Sequence, residues 1–344
     1  MRILILGVNG FIGHSLTARV LADTDWEVYG MDLGSDRVAE HLDNPRFRFL
    51  EGDIAINREW IEYHVKKCDV LLPLVAIATP KTYVEDPLHV FELDFEENLR
   101  VIRQAVKYGT RLIFPSTSEV YGMCPDAAFN EDTSPLVLGP IAKQRWIYSC
   151  AKQLLDRVIW ALGQKEGLRF TLIRPFNWIG PRLDDIDAPK EGSSRVVTQF
   201  LGHLLRDEPL HLVDGGRQRR SFTYIDDGVE ALMRIIANEG GRAEGRIFNI
   251  GNPASDCSIR ELADHMIDVL AEFEGYEDIR ERAVIDEIPA ATYYGPDYQD
   301  MQTRVPDISN AREHLGWEPQ VGLRDALHRT IAYYLGARAC TKAH

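Results

Sequence analysis

Residues 2–13, RILILGVNGFIG, join a short apolar run to three closely spaced glycines. The apolar run has the composition of a buried β-strand. Glycines at positions 7, 10 and 13 permit a tight turn, a close approach of the backbone to a pyrophosphate, and packing of the next helix on the strand. We therefore predict a strand, a phosphate-binding turn and a helix over residues 14–22. The residues predicted to contact a dinucleotide here are Gly7, Gly10, Phe11, Ile12 and Gly13.

The next apolar run, WEVYGMD at residues 26–32, predicts a second strand that ends in Asp32. A carboxylate at this distance from the glycines accepts hydrogen bonds from the ribose hydroxyls and repels a 2′-phosphate. The sequence therefore predicts NAD rather than NADP as the cofactor. Two alternatives stay open: Arg37 is near enough in sequence to bind a 2′-phosphate, and Asp32 could be a turn residue before Gly34.

A third predicted strand, FRFLEGDI at residues 47–54, ends in Asp53 and Ile54. Both residues could meet the adenine ring, Asp53 through a hydrogen bond and Ile54 through packing. Residues from Ile56 onward have a helical pattern, so Asp53 could equally be a helix cap. The sequence favours neither interpretation of Asp53.

Strand and helix patterns alternate through the first half of the chain. CDVLLPLVA (68–76) predicts a fourth strand, FELDFEENLRVIRQAVKYG (91–109) a helix ended by glycine, and LIFP (112–115) a fifth strand. Such alternation predicts a doubly wound parallel sheet of the Rossmann type, whose ligands bind beyond the carboxyl ends of the strands. The residues that follow strand ends, and are predicted to line that edge, are Ala78, Tyr83, Thr117, Ser118 and Glu119.

A predicted helix at residues 144–163 carries Tyr148 and Lys152 four residues apart, and therefore on one face. A nearby ammonium lowers the pKa of a phenol. A phenolate beside a nicotinamide ring can take the proton of a substrate hydroxyl while hydride leaves the same carbon. Thr117 or Ser118 could hold that hydroxyl. The alternative, a surface pair at chance spacing, is disfavoured by the upstream glycines and the strand-end hydroxyls.

Composition limits the class of protein. The chain has 344 residues and a formal net charge of −14, which argues against a nucleic-acid-binding surface. No apolar stretch reaches the length of a membrane span, so no membrane insertion is expected. The five cysteines are scattered without a CxxC pair, which favours reduced thiols and no metal site. We therefore expect a cytoplasmic protein without a bound metal.

The motifs resemble the extended short-chain dehydrogenase/reductase family that acts on nucleotide sugars. The resemblance rests on the glycine turn, the hydroxyls of Thr117 and Ser118, and the Tyr148–Lys152 pair. It continues through GGRQRRSFTYIDD (215–227), NIGNP (249–253) and LGWEP (315–319). It implies an NAD-binding Rossmann domain at residues 1–180 and 221–251, interleaved with a smaller C-terminal α/β substrate lobe at residues 181–220 and 252–340.

Within this family, the residues after the strand-end threonine distinguish the reactions. Sugar 4,6-dehydratases usually carry an Asp–Glu pair there and 4-epimerases a small residue, whereas this chain has Ser118–Glu119. Thr-Ser-Glu, FPSTSEVYGMC (114–124) and RPFNWIGPRLD (174–184) are similar to UDP-glucuronic acid decarboxylases, in particular those of the lipid A aminoarabinose (polymyxin-resistance) pathway. The resemblance implies oxidation of UDP-glucuronic acid at C4 and loss of CO₂, giving UDP-4-keto-pentose or, after re-reduction, UDP-xylose.

Several alternatives remain at this stage. The pathway enzymes carry a formyltransferase domain ahead of the decarboxylase, but this sequence begins at the first Rossmann strand, so no formyl transfer is expected. A UDP-sugar 4-epimerase and a 4,6-dehydratase are the alternatives within the family. A non-catalytic NAD-sensing protein is more remote, because such proteins typically lack the Tyr or the Lys that this chain has.

The substrate side has one basic cluster, DGGRQRRSF at 214–222, which predicts binding of an anion such as a pyrophosphate unless it is a solvated loop. ATYYGPDYQDMQTRVPD (291–307) predicts a loop over the site. From the resemblance, Arg220, Asn177 and Tyr298 are expected to bind the substrate, and Arg304 to act in catalysis. The full set expected to bind substrate is Ala78, Tyr83, Thr117, Ser118, Arg145, Asn177, Arg195, His211, Arg220 and Tyr298. The expected catalytic residues are Thr117, Ser118, Glu119, Tyr148, Lys152 and Arg304.

The helices predicted near residues 95–108 and 147–163 carry apolar faces. Members of the family pair the corresponding helices into a four-helix bundle. The resemblance therefore implies a homodimer.

Overall fold

Strands and helices alternate along the chain in the computed structural model, which describes residues 1–187, 195–295 and 298–342. The strands are β1 (Arg2–Leu6), β2 (Glu27–Asp32), β3 (Phe47–Glu51), β4 (Val70–Pro73), β5 (Arg111–Pro115), β6 (Phe170–Pro175), β7 (Trp178–Ile179), β8 (Leu210–Val213), β9 (Arg219–Ser221), β10 (Thr223–Tyr224), β11 (Arg246–Ile250), β12 (Asp256–Ser258) and β13 (Ile285–Ile288). The helices are α1 (Phe11–Asp23), α2 (Arg58–Lys67), α3 (Pro80–Glu85), α4 (Pro87–Phe91), α5 (Asn98–Tyr108), α6 (Trp146–Glu166), α7 (Val196–Leu205), α8 (Ile225–Ala237), α9 (Ile259–Leu270), α10 (Ile279–Arg282), α11 (Ala290–Tyr293) and α12 (Leu323–Lys342).

A seven-stranded sheet in the order β11-β6-β5-β4-β1-β2-β3 forms the centre, and all its strands pair in parallel. Alternate residues of β1 pack on opposite faces of this sheet. Ile3 and Ile5 join the core beneath α1 and α8, whereas Leu4 and Leu6 join the core beneath α2, α5 and α6. A strand buried on both faces is uniformly apolar, which is why RILIL carries no polar alternation. The predicted Rossmann-type, doubly wound sheet is confirmed.

The turn after β1 depends on two glycines. Gly7 has φ +86°, in the left-handed region that favours glycine. A Cβ on Gly13 would lie 2.5 Å from the carbonyl oxygen of Gly7 and 2.6 Å from that of Val8, so α1 packs on this turn only because residue 13 has no side chain. The start of α1 is thereby held at the carboxyl end of β1, beside the ends of β4 and β5.

Two predicted elements differ from the observed ones. β3 ends at Glu51, where its pairing with Asp32 of β2 ends, so Asp53 and Ile54 follow the strand instead of ending it. The helix predicted at 91–109 is divided: a π-helical segment at Glu92–Glu97 precedes α5, which Gly109 ends at φ +69°. The π-helical segment changes which side chains face the sheet.

The smaller C-terminal α/β lobe contains a parallel pair, β8–β13, and an antiparallel pair, β9–β12, together with α7 and α9. Its core is continuous with the α1–α8 side of the sheet: Leu262 and Met266 of α9 belong to the same buried cluster as Ile3 and Ile5. The chain returns to the large sheet at β11 and then leaves it again. The division at residues 180, 220 and 251 stays a prediction, and residues 188–194 within it lie outside the described ranges.

Three further observations concern the described ranges. No helix in them combines the length and apolarity needed to cross a membrane. Nor do they hold a group of three or more side chains suited to a metal ion. Cys68, Cys124, Cys150 and Cys257 are free thiols, and the Cys340 side chain lies outside the description.

Replacement of Gly13 by Ala tests the contact between α1 and the glycine turn. Because the added methyl group meets backbone oxygens that cannot rotate away, we expect the free energy of unfolding to fall by roughly 1–3 kcal/mol. Gly336→Ala is the matched control, since Gly336 lies on α12 with open space around its Cβ position. The control should be neutral or more stable by up to about 1 kcal/mol. Chemical denaturation of both variants measures this, and equal stabilities would contradict the close-packing argument.

Candidate active site

A cavity of about 470 Å³ opens at the carboxyl ends of the central strands, between the glycine turn and the smaller lobe. It brings together residues that lie far apart in sequence. The predicted residues that line it are Gly7, Gly10, Phe11, Ile12, Gly13, Ala78, Tyr83, Thr117, Ser118, Glu119, Arg145, Tyr148, Lys152, Asn177, Arg195, His211, Arg220, Tyr298 and Arg304. The three predicted residues outside this lining are Asp32, Asp53 and Ile54.

The glycine turn and Asp32 fit a dinucleotide. A Cβ on Gly10 would meet only the Gly7 oxygen, at 3.2 Å, so a side chain there would project into space that the bare backbone leaves open. Asp32 lies beside this turn, where its carboxylate accepts hydrogen bonds from the backbone N–H groups of Asn9 and Leu33, each at 2.8 Å. A pyrophosphate and a ribose thus have suitable partners side by side.

Asp53 and Ile54 are placed differently from the adenine-contacting pair that the sequence allows. The Asp53 carboxylate accepts a hydrogen bond from the Ala55 N–H at 2.6 Å, and Ile54 is buried in the apolar core. The alternative that Asp53 caps α2 is wrong, because the helix begins at Arg58 and Asn57 occupies the cap position. Asp53 instead closes the turn before the helix, and adenine contacts stay a prediction for both residues.

Tyr148 and Lys152 lie on the buried face of α6. The Nζ of Lys152 is 6.0 Å from the centroid of the Tyr148 ring and donates a hydrogen bond to the Pro115 carbonyl at 3.0 Å. Thr117, whose hydroxyl accepts a hydrogen bond of 3.2 Å from the Glu119 N–H, lines the same cavity as Tyr148. Tyr83 stacks on Tyr148, with ring centroids 4.8 Å apart and planes within 6°. The predicted hydroxyl, phenol and ammonium are therefore assembled in one place, at the end of β5.

The spacing of Tyr148 and Lys152 predicts a lowered pKa for the phenol, but in this cavity the net change is in the opposite direction. Burial raises the pKa of Tyr148 well above its usual value, and the carboxylates of Asp94 and Glu119 raise it further. Burial also lowers the pKa of Lys152, while Asp94 and Asp156 oppose that change. Sequence spacing shows that two groups share a face, but it does not show that both lose their hydration, and here desolvation is the larger effect.

Glu119 lies between two arginines. Its carboxylate is 3.0 Å from Nη1 of Arg145 and 3.3 Å from Nη1 of Arg304. Burial alone would raise the pKa of Glu119, but the two guanidinium groups hold it below its usual value. Asn177 completes the arrangement, since its Oδ1 accepts a hydrogen bond of 2.6 Å from Arg304. The site therefore contains a charged carboxylate that two buried cations stabilise.

Asn177 adopts a backbone conformation with φ 39°, which Asn tolerates better than other side-chain-bearing residues. Its Nδ2 donates to the carbonyl of Ser221 at 3.0 Å, so the side chain connects the end of β6 to β9. The unusual backbone conformation is consistent with a functional position.

Arg220 is the member of the basic cluster that lines the cavity. It donates to the Met301 carbonyl at 2.9 Å and pairs with Asp300 at 2.8 Å. Arg219 instead pairs with Asp256 at 2.8 Å. Arg217 is exposed, so the alternative that the cluster is a solvated loop applies to Arg217. Arg195, at the mouth, pairs with Asp184 at 2.6 Å.

The segment predicted as a loop over the site begins as a short helix, α11, and continues without regular structure in its described part. Residues 296–297 lie outside the described ranges. Tyr298 stacks on Tyr294 with centroids 4.0 Å apart, and the Arg145 guanidinium is 5.7 Å from the Tyr298 ring centroid. Tyr293 and Tyr294 also line the cavity, although the sequence analysis had not selected them.

A buried polar network behind the cavity was also missed. Its members are Ser116, Asp156, Arg174, Tyr121, Asn249 and Glu131. The Asp156 carboxylate accepts hydrogen bonds from the Ser116 hydroxyl at 2.9 Å and from Arg174 at 3.1 Å. It thereby fixes Ser116, the residue directly before Thr117. Asp156 follows Lys152 by four residues on α6, so helical spacing could have pointed to it.

The far end of this network holds the segment that carries Arg304. Asn249 Nδ2 donates to the carbonyls of Phe129 at 2.7 Å and Asp307 at 3.1 Å. Phe129 also bonds through its backbone to Val305 and Asp307, at 2.8 and 2.9 Å. The position of Arg304 thus depends on contacts made by distant parts of the chain.

Comparison with known proteins identifies the family. A model of the NAD dependent epimerase/dehydratase family matches residues 3–251. The chain belongs to this family, which confirms the predicted family and NAD as the cofactor.

Three solved structures are similar over almost the whole chain. The PbgP3 protein from Burkholderia pseudomallei is 58% identical, with 99% of this chain and 98% of that chain covered and a TM-score of 0.88. UDP-glucose 4-epimerase from Thermotoga maritima, solved with UDP-glucose, is 26% identical, with 98% and 100% covered and a TM-score of 0.79. UDP-glucuronic acid 4-epimerase from Bacillus cereus, in complex with UDP-glucuronic acid and NAD, is 22% identical, with 98% and 100% covered and a TM-score of 0.81; it shows the fold alone.

Asp156→Asn tests the buried polar network. The change leaves the buried guanidinium of Arg174 without a carboxylate, so we expect a loss of roughly 3–5 kcal/mol in the free energy of unfolding. The control is Asp325→Asn, which breaks an exposed pair with Arg329 at 2.7 Å and should cost about 0–1 kcal/mol. Denaturant unfolding measures both variants. Similar losses of stability in the two variants would show that burial does not increase the contribution of the Asp156–Arg174 pair to stability.

Proposed function

We propose that the protein catalyses the NAD-dependent oxidative decarboxylation of UDP-glucuronic acid to UDP-4-keto-pentose, in the cytoplasm. The observation that carries the proposal is the position of Glu119, next to the strand-end hydroxyls and between Arg145 and Arg304. An oxidation of the sugar alone would need only the hydroxyl, Tyr148 and Lys152. The additional charged group beside them suits a second chemical step at a neighbouring carbon.

The charge pattern of the cavity supports a substrate with two anionic ends. Arg145 and Arg304 offer guanidinium groups near the strand-end hydroxyls, where a sugar carboxylate would lie. Arg220 and Arg195 line the cavity on the side of the smaller lobe, where a pyrophosphate would meet them, with His211 nearby. Ala78, Tyr83, Asn177 and Tyr298 supply the remaining predicted sugar and nucleotide contacts. UDP-glucuronic acid has this distribution of charge.

The first step is oxidation at C4. Tyr148 accepts the proton of the C4 hydroxyl, which Thr117 or Ser118 holds, as the C4–H bond breaks. NAD⁺, held by the glycine turn and Asp32, would accept the hydride that leaves C4. Lys152 stabilises the ionised phenol, because a buried phenolate is otherwise disfavoured in this cavity.

The second step is loss of CO₂. The 4-ketone lies β to the C6 carboxylate, so the electrons of the C5–C6 bond can pass into an enolate as CO₂ leaves. The hydroxyls of Thr117 and Ser118 stabilise the oxygen that becomes negative. Glu119 competes with the substrate carboxylate for the same arginines, and its repulsion is relieved as CO₂ departs. Protonation at C5 completes the reaction, with Glu119 and Arg304 as the groups that handle the proton.

The comparisons agree with this proposal at a coarser level. The UDP-glucose 4-epimerase among the similar structures acts on a UDP-sugar, and the 58% identical PbgP3 protein covers almost the same length. The sequence resemblance to decarboxylases of the aminoarabinose pathway, by itself, favours a role in lipid A modification. The released product is UDP-4-keto-pentose with NADH, or UDP-xylose where the NADH reduces the ketone again.

Incubation of the protein with UDP-glucuronic acid and NAD⁺ tests the proposal. We expect release of CO₂ and, by NMR of the sugar product, a UDP-pentose. Formation of UDP-galacturonic acid without CO₂ would identify a 4-epimerase, and no turnover of any kind would favour a non-catalytic NAD-binding protein.

Glu119→Gln and Arg304→Met separate the two steps. Loss of a positioned proton-transfer group costs on the order of 10²–10⁴ in rate, so we expect CO₂ release to fall by that factor in both variants. Binding of NAD and UDP should persist, since neither residue is assigned to those contacts. The matched controls are Glu92→Gln and Arg217→Met, which change exposed residues outside the cavity and should leave turnover unchanged.

The kinetic pattern distinguishes two roles for Arg304. If it only anchors the substrate carboxylate, the loss appears chiefly as a higher KM. Turnover close to that of the wild type at saturating substrate in both variants would show that decarboxylation is assigned to the wrong residues.

A homodimer is part of the proposal. Leu154 and Trp160 of α6 are large apolar side chains that are 46% and 43% exposed. We expect a dimer at micromolar concentration in sedimentation, and a shift toward monomer for Leu154→Asp. Val284→Asp, at a 53% exposed position in the smaller lobe, is the control that should leave the assembly unchanged. A monomeric wild type would contradict the proposed dimer.

A further inference from the structure

Asp94 is a fully buried carboxylate that the proposed mechanism does not use. It lies in the π-helical segment Glu92–Glu97 with 0% exposure. Its Oδ1 accepts a hydrogen bond of 2.8 Å from the Ile77 N–H, and its Oδ2 has no hydrogen-bond partner among the described residues. Burial of an ionisable group with an unsatisfied oxygen is costly, so a compensating interaction is expected nearby.

The residues around Asp94 connect it to the Tyr148–Lys152 pair. Ile77, whose N–H it binds, packs in one apolar cluster with Tyr83 and Tyr148. Helix α6, which carries Tyr148 and Lys152, packs directly on the π-helical segment. The hydrogen bond from the Ile77 N–H to Asp94 therefore fixes the backbone of a residue that packs against the cluster containing Tyr148.

The π-helical segment places a second polar residue beside Asp94. Asn98, four residues later, is also 0% exposed and donates from Nδ2 to the carbonyl oxygens of Val75 at 3.2 Å and Leu93 at 3.1 Å. Asp94 and Asn98 together hold residues 75–77, which follow β4 and lead into the cavity wall at Ala78. π-Helical turns occur preferentially at functional sites.

The charged and titratable groups that face Asp94 come from three helices. Lys152 on α6 attracts the Asp94 carboxylate and lowers its pKa, and His89 on α4 has the same, weaker effect. The negative charge of Asp94 in turn raises the pKa of Tyr148 and of Tyr83. Lys152 is also faced by Asp156, from its own helix. An ammonium has three donors, and the hydrogen bond from Lys152 to Pro115 accounts for one of them.

We propose that Asp94 is the buried counter-charge of the Tyr148–Lys152 pair, a positioning residue that keeps Lys152 cationic and fixes Tyr148 through Ile77. It touches neither substrate nor cofactor and acts through the two residues that perform the proton transfer. The inference rests on the proposed function only for the substrate used in its kinetic test.

The charge of Asp94 changes the pH range in which the pair works. Burial raises the pKa of Asp94 to about 6, against the attraction of Lys152, so the carboxylate is charged at neutral pH. A negative charge here opposes ionisation of Tyr148 and favours the ammonium of Lys152. Removing the charge therefore makes the phenol easier to ionise and the ammonium easier to deprotonate. Both changes displace the active pH range downward.

Asp94→Asn is the direct test, because the amide keeps the shape and an acceptor for the Ile77 N–H but not the charge. With UDP-glucuronic acid and NAD⁺, we expect both limbs of the profile of kcat against pH to move to lower pH, by on the order of one pH unit, with KM little changed. Glu92→Gln removes the same charge from an exposed position of the same segment and should leave the profile in place.

A second measurement does not depend on the substrate. The ultraviolet absorbance of an enzyme is compared with that of the same enzyme carrying Tyr148→Phe, so that the difference reports ionisation of Tyr148 alone. With NAD⁺ bound, we expect Tyr148 to ionise at lower pH in the Asp94→Asn variant than in the wild type. If the wild type fails to oxidise UDP-glucuronic acid, the proposed function is wrong, yet this titration still tests Asp94.

The outcomes that overturn the inference are distinct. A lower kcat with unmoved pH limbs, or an unmoved Tyr148 titration, would make Asp94 a purely structural residue. The same conclusion follows if both Asp94→Asn and the smaller neutral variant Asp94→Ser fail to fold.

Discussion

The contact between the start of α1 and the turn after β1 leaves no room for a side chain at residue 13. This constraint brings the helix N-terminus to the carboxyl edge of the sheet, where the ends of β4, β5 and β6 also lie. Residues that follow those strands, such as Ala78, Thr117 and Asn177, consequently share one cavity with the glycine turn. Ligand binding at this edge is a property of the topology, and the particular side chains determine which chemistry it supports.

Desolvation of charge dominates the electrostatics of the cavity. An unpaired buried ion is strongly destabilising, and the charged groups here are arranged in opposite pairs. Glu119 faces Arg145 and Arg304, Asp156 faces Arg174, and Lys152 is faced by Asp94 and Asp156. A nearby cation opposes the rise in pKa that burial causes in each of these carboxylates. Removal of one partner leaves the other as an unpaired buried charge and so lowers the stability of the fold. A residue of this region can therefore have a functional and a structural role at once.

Much of the fold could be predicted from the sequence, because glycine spacing and apolar runs reflect local constraints. The Tyr148–Lys152 pair was found for the same reason, as helical spacing is a local property. Asp94 was missed because four acidic residues occur within residues 92–97, and only the π-helical register shows which of them faces inward. The direction of the pKa change of Tyr148 was wrong because burial is a tertiary property. Arg304 was found only through resemblance, since nothing in its own segment marks it.

The connection of Val305 and Asp307 to Phe129 has a consequence for biosynthesis. Chains emerge from the ribosome from the N-terminus, and domains begin to fold as they emerge. When β6 has been synthesised, Thr117, Tyr148, Lys152 and Glu119 are all present, yet Glu119 can pair only with Arg145. The second arginine is synthesised only after all seven strands of the central sheet, and its segment must then find Phe129 and Asn249 in an already folded surface. Synthesis therefore supplies the hydroxyl, the phenol and the ammonium of the site first, and the last third of the chain completes it.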